Sequence, residues 1–440
     1  MMNYLKKIKK KDKDLFELIK GGGLNFIFYG LNLFVVYFLA IIITKFYGPS
    51  AYGRYSIIKS LILVFIIFNT LGLNTYAIKL SADREHFDKG LFKSDYFKKS
   101  YIILFAASLI LSTILIIFKK EIAVSFFGDK NLESYLVYFP FVLIFATFLN
   151  YNSNVLKGQG KILSFSIVSS FLNNFFFLFI ILIGYFLYSN NESFIIISLL
   201  ISFIVAFVVS IYKISPIRYS QNYKKSKSVR LLKDSLPMML SSSMVFIIFS
   251  VDTLMLGFFD SSENVGIYRI VTQVSGINAV FLIIIGAVVA PKISKLYSEN
   301  KILEIKPLII KSSKIVLLIT LPILVIILIF SKQILLFFGE EYLSAFHSIL
   351  ILSICQFFYA ISGFVDIILN MTGKQGIFGK ITFITALINI ILNLLLIPIY
   401  GITGAAISTG FSILLTNGLG SVYVKVKYNF LPFYIPFIKR

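Results

Sequence analysis

The sequence predicts an all-α polytopic membrane protein of about twelve transmembrane helices in two pseudo-symmetric six-helix lobes. Three observations carry that expectation. Of the 440 residues, 58% are hydrophobic and only 14% charged, whereas a soluble domain is about half apolar and about a quarter charged. Apolar runs of about 20 residues recur along the whole chain, and each can cross ~30 Å of hydrocarbon. The basic residues alternate, connection by connection, in step with those runs.

The spans read as 22–45, 55–78, 99–118, 134–155, 162–187, 194–212, 236–258, 266–290, 308–330, 343–370, 377–399 and 402–424. The runs are continuous, which favours helices over barrel strands that alternate over ~10 residues. The first run is too long for the apolar core of a signal peptide and is expected to stay as a membrane helix. With a cytoplasmic N-terminus, 34 of the 42 Lys and Arg residues fall on inner segments. The other eight are Lys45, Arg54, Lys59, Lys119, Lys120, Lys130, Arg269 and Lys332. This is the positive-inside pattern, and it places both termini in the cytoplasm. Miscounting by one helix would scramble it. It also accounts for a net charge of +22 through attraction to anionic inner-leaflet lipid, without nucleic acid.

The halves repeat. Gly53 and Tyr55 match Gly266 and Tyr268 at an offset of 213, as do Lys79 and Ser81 with Lys292 and Ser294. Farther on the offset is 215, pairing Gly158 with Gly373 and Asn174 with Asn389. The basic stretch 213–233 separates the halves, giving expected lobes of 1–220 and 221–440. Six spans per half make the repeats parallel, an arrangement used by secondary transporters.

Polar residues inside spans are the candidate functional groups. Asp252, in "IIFSVDTLMLGFF", is expected near mid-membrane, where a carboxylate costs several kcal/mol unless paired, hydrated or protonated. It reads as a cation site or substrate contact, against the plainer reading of a carboxylate satisfied at a helix contact. Asp366 lies nearer the cytoplasmic end of the tenth span, ~15 Å away in depth at the helical rise. It reads equally as functional or as a solvated inner-half carboxylate. Arg54, Lys59 and Arg269 cluster at the outer ends of the repeat-related second and eighth spans. They form a basic collar suited to a diphosphate, or else snorkel to the interface. Amides within spans commonly join helices. Asn25 and Asn32 on the first span are singled out as possible sugar contacts.

Several classes are disfavoured. There is no GxxxxGK[ST] phosphate loop. No spaced His/Cys metal set is visible, the histidines being His86 and His347 and the single cysteine Cys355. Outer connections are short and carry no nucleophile elbow. No catalytic residue, metal or cofactor is expected.

The segments "FYGPSAYGRYSI", "VDTLMLGFFDSSENVGIYRI", "APKISKLY" and "NMTGKQG" resemble the polysaccharide-biosynthesis, O-antigen repeat-unit flippases of the multidrug/oligosaccharidyl-lipid/polysaccharide exporter superfamily. The resemblance covers essentially the whole chain. It implies a V-shaped pair of lobes around a central cavity in the inner (plasma) membrane of a bacterium. It implies movement of an undecaprenyl-diphosphate-linked oligosaccharide to the outer leaflet by alternating access, for O-antigen or capsule synthesis. Phosphates are implied at Arg54, Lys59 and Arg269, and H⁺ or Na⁺ coupling at Asp252. Membrane lipids and other polysaccharide-assembly membrane proteins are the implied partners. Some relatives have fourteen spans, so twelve points away from the lipid II flippase branch. Two rivals stand beside this reading. A cation-coupled drug or metabolite antiporter of the same superfamily commonly has an acid in the first span, which 22–45 lacks. A membrane-embedded glycan polymerase or ligase needs larger catalytic outer loops.

A reporter enzyme fused after Asn191 is expected to be active only outside the cell. Cytoplasmic activity would break the topology.

Overall fold

The computed structural model describes residues 13–82, 95–188, 191–214 and 228–434, with side chains left out at 13–26, 82, 95, 187–188, 228–230, 237–238 and 240–249. Among the described residues there is no strand, and the helices run in order. These are α1 (Lys13–Thr70), α2 (Leu73–Ala82), α3 (Asp95–Ile117), α4 (Leu132–Gly158), α5 (Ile162–Ser166), α6 (Leu172–Tyr188), α7 (Ser193–Lys213) and α8 (Ser228–Phe259). They continue with α9 (Ser262–Ser275), α10 (Ile277–Ser298), α11 (Ile302–Ile329), α12 (Ser331–Phe338), α13 (Phe346–Ser362), α14 (Phe364–Met371) and α15 (Gln375–Tyr428).

Nine helices among the described residues are long and apolar enough to cross a bilayer. Two of them are bent pairs. Helix α1 turns at Gly48, φ 85°, and α15 turns at Gly401, φ 50°. Glycine reaches such angles without a Cβ clash. Pro49 then starts the second arm of α1, where its missing N–H costs nothing. Each bend turns one helix into two passes, and α8, at 32 residues, brings the passes to the expected twelve.

The chain forms two compact units, residues 1–247 and 248–440. The expected division at 220/221 lies outside the described residues; by packing, the division falls inside α8. Each unit has its own apolar core. In the first, Leu73, Phe97, Leu104, Tyr151 and Val155 pack together. In the second, Leu282, Ile309, Val316, Phe364 and Val365 do so. Each unit also has a hub. Helix α4 packs against α1, α2, α3 and α7, while α13 packs against α9, α10, α11 and α15. These are the fourth and tenth spans, equivalent positions in the two sequence halves.

The outer surfaces of the helices are apolar. Phe34 is 71% exposed, Phe186 78% and Val426 76%, which suits acyl chains. Lipid tails are as apolar as Leu, so burial of hydrocarbon does little to join these helices, and close packing with interhelical hydrogen bonds takes over. The amides supply those bonds. Asn69 donates to Thr147 (3.0 Å), Asn74 to Asn150 (3.0 Å) and Asn174 to Asn32 (2.8 Å), while Ser202 donates to Asn173 (2.8 Å). At the α4 hub, Tyr101 donates to Asn152 (2.5 Å), which donates to Ser210 (2.8 Å).

Asn152→Ala is expected to lower stability by about 1–2 kcal/mol. Adding Tyr101→Phe is expected to cost little more, because the two residues share one network. Thermal denaturation of both variants in detergent checks this; fully additive losses would show that the two act independently.

Candidate functional site

Asp252 lies on α8 in a half-buried position, and three other spans deliver polar groups to it. Asn393 Nδ2, from the first arm of α15, donates to Asp252 Oδ1. Thr409 Oγ1, from the arm beyond Gly401, donates to Oδ2. Tyr268 on α9 donates to the same oxygen at 3.3 Å and lies 2.9 Å from Thr409 Oγ1. One turn before Asn393, Asn389 accepts from Asn393 Nδ2 at 3.1 Å. Asn389 and Asn393 share one face of the helix because they are four residues apart.

Each side chain reaches the centre for a local reason. Asp260 accepts from the backbone N–H of Ser261 (2.7 Å) and from Asn264 Nδ2 (2.7 Å), and Ser261 caps Asn264 N at 3.2 Å. That turn starts α9 and sets the phase that buries Tyr268, whose exposure is 1%. The Gly401 bend folds Thr409 back beside Asn393. The result is four oxygen-bearing side chains around one carboxylate. Asn393 is fully buried and, among the described residues, its Oδ1 has no hydrogen-bond partner. A carboxylate ringed by neutral oxygens is a donor set for a hard monovalent cation or a proton. No group of three or more His, Cys, Asp or Glu with metal-ligand spacing exists among the described residues.

Asp366 does not join this cluster among the described residues. It lies in the first turn of α14, after the break at Gly363, and its Oδ1 accepts the N–H of Ile367 at 2.6 Å.

The basic residues sit in different surroundings. Arg54 is buried (7% exposed) and bonds two carboxylates from separate connections. Its Nε donates to Asp129 at 2.7 Å, and its Nη1 pairs with Glu192. Lys59, one turn further, is half-buried; its Nζ donates to Tyr55 OH at 3.2 Å and lies 5.5 Å from that ring's centre. Arg269 is half-buried next to Tyr268, and among the described residues no carboxylate pairs with it. Asn32 is held by Asn174, joining the first and fifth spans. Asn25 lies outside the residues whose side chains are described.

Sequence reasoning missed Tyr268 and Thr409 as site residues and read Asn389 and Asn393 as helix joints. Signals were present for some. Tyr268 belongs to the internal repeat, and Asn389 and Asn393 stand four apart in an otherwise apolar stretch. Nothing local marked Thr409, or marked Asp129 and Glu192 as partners for Arg54.

Two family models match. One, described as polysaccharide biosynthesis protein, covers residues 18–297; the other, MatE, covers 237–395. The chain is 24% identical over 415 residues to the probable low-salt glycan biosynthesis flippase Agl15 of Haloferax volcanii, spanning 92% of this chain and 81% of that protein. It is 28% identical over 232 residues to the capsular polysaccharide biosynthesis protein CapF of Staphylococcus aureus, spanning 51% and 58%. Its fold matches that of the lipid II flippase MurJ in an inward closed conformation with a TM-score of 0.74 at 17% identity, over 92% of this chain and 87% of that one.

Removing the Arg54 guanidinium leaves two carboxylates facing each other. Arg54→Gln is expected to cost about 3 kcal/mol, well beyond Lys59→Gln, when thermal unfolding of the two variants is compared. Equal losses would mean the Arg54 pairs contribute little.

Proposed function

The chain belongs to the polysaccharide biosynthesis protein family, and we propose that it is a flippase that carries a polyprenyl-diphosphate-linked oligosaccharide from the inner to the outer leaflet by alternating access. In a bacterium that lipid is undecaprenyl diphosphate and the product an O-antigen or capsule unit. The placement is the plasma membrane, with both termini cytoplasmic.

The observation that carries this reading is the Asp252 cluster, a half-buried carboxylate held by an amide and two hydroxyls from three neighbouring spans, in a chain similar to probable flippases. Sugar hydroxyls stripped of water cost kcal/mol each in hydrocarbon. A carrier must therefore offer polar replacements and must draw on a gradient to run in one direction. Asp252 with Tyr268, Asn389, Asn393 and Thr409 is the coupling site, taking Na⁺ or H⁺. Asp366, nearer the inner end, is a second carboxylate on the same unit through which the ion can pass. Lys59 and Arg269 are the diphosphate ligands, Lys59 being held ready by Tyr55. Arg54 enters as a clamp on the outer connections, since two carboxylates already hold its guanidinium. Asn32 and Asn25 line the first span as sugar contacts. Catalysis has no part in this scheme.

The antiporter reading has one observation in its favour, the MatE match over 237–395. It predicts drug efflux that depends on Asp252.

Deleting the gene and identifying the lipid-linked glycan that accumulates on the inner leaflet tests the flippase reading directly; unchanged glycan export with altered drug resistance would favour the antiporter. Lys59→Ala is expected to abolish or strongly reduce glycan export with membrane insertion intact, and normal export would remove Lys59 from the mechanism. Asp252→Asn is expected to make export insensitive to the ion gradient. An unchanged gradient dependence would end the coupling role.

A further inference from the structure

Tyr55 and Tyr268 are repeat equivalents, yet their hydroxyls serve opposite charges. Tyr55 OH accepts from the Lys59 ammonium at 3.2 Å. Tyr268 OH donates to the Asp252 carboxylate at 3.3 Å and lies 2.9 Å from Thr409. Tyr268 also stands next in the chain to Arg269. Its ring is buried, so it cannot change partner without its surroundings changing too.

The helix that carries both residues is a separate piece. Helix α9 is 14 residues long. It begins at Ser261, whose backbone is extended, and ends at Gly276, where span eight breaks and α10 starts. Beyond the break, Asn278 is fully buried and, among the described residues, neither its Oδ1 nor its Nδ2 has a partner. The hinge therefore holds unused hydrogen-bonding capacity, which a shift of α9 can engage.

We propose that Tyr268 is the positioning residue that links cation occupancy at Asp252 to the placement of Arg269, with α9 as the lever between them. The inference rests on the assignments of Asp252 and Arg269 made above. The physical step is a reversal of hydroxyl polarity. With no cation bound, Asp252 accepts hydrogens from Asn393, Thr409 and Tyr268. A cation on the carboxylate repels those hydrogens and attracts the oxygens instead. Thr409 can turn about one bond, because its hydroxyl sits on a short aliphatic stem. The Tyr268 hydroxyl reverses by rotating its O–H bond, but its oxygen is fixed to a rigid, buried ring, so drawing that oxygen closer to a cation on Asp252 passes into the backbone of α9 and moves the next side chain, Arg269. Linkage is reciprocal: a diphosphate that repositions Arg269 must change cation affinity by the same factor.

The test uses the full chain in nanodiscs, with Na⁺ as one ligand and farnesyl diphosphate as the other, by calorimetry. Wild type is expected to bind both, with saturating Na⁺ shifting the diphosphate Kd about fivefold or more. Tyr268→Phe removes one hydroxyl of the coupling site, so it is expected to bind Na⁺ more weakly, to bind the diphosphate alone with little change, and, at a Na⁺ concentration that saturates the variant, to bring that shift close to one. Gly276→Ala, whose Cβ would meet the Thr272 carbonyl at 2.9 Å and so shifts the end of α9, is expected to change the coupling with the Tyr268 hydroxyl retained should Tyr268→Phe fold poorly. Ligands that both bind wild type but independently, or a full shift retained in the variants, would overturn the proposal while leaving the flippase reading intact. Failure of wild type to bind the diphosphate, or failure to bind Na⁺ with no proton uptake on diphosphate binding in its place, would remove the site assignments, and this inference with them.

Discussion

Hydrocarbon has no hydrogen bonds to offer, so a polar group that enters it without a partner is costly. That single constraint organises the molecule. It makes the chain helical, since a helix satisfies its own backbone. It explains why the side-chain amides of the first unit are paired across helices: Asn69 with Thr147, Asn74 with Asn150, Asn152 with Tyr101 and Ser210. It also explains why charges occur in company. Arg54 is matched by two acids, and Asp252 by an amide and two hydroxyls.

The two units use the same plan for different chemistry. In each, one long helix near the middle of the six serves as the packing hub, and a tyrosine at the same repeat position holds a charged side chain. The charge is positive in one unit and negative in the other.

The passes were legible in the sequence because length and hydrophobicity alone define them, and the twelve expected ranges fall on the observed helices. Asp252 was legible for the same reason, as a lone carboxylate in an apolar run. Its partners were not. Tyr268, Asn393 and Thr409 lie 16, 141 and 157 residues from it, and one sequence does not say which face of a helix meets which neighbour. Arg54 shows the converse. As a basic residue at a span end it read as part of an anion-binding collar, and only the fold brings Asp129 and Glu192 to it from connections 75 and 138 residues away. The break at Gly276 was also hidden, because small and polar residues such as Ser275, Gly276 and Asn278 are common inside membrane helices and only the geometry shows the two pieces.

The bends at Gly48 and Gly401 bear on how the protein is made. Neither leaves any slack between the passes it joins, so one arm cannot settle in the bilayer while the other waits in water. During synthesis the arms 13–47 and 49–70 must leave the insertion machinery together as a hairpin, and so must the arms on either side of Gly401.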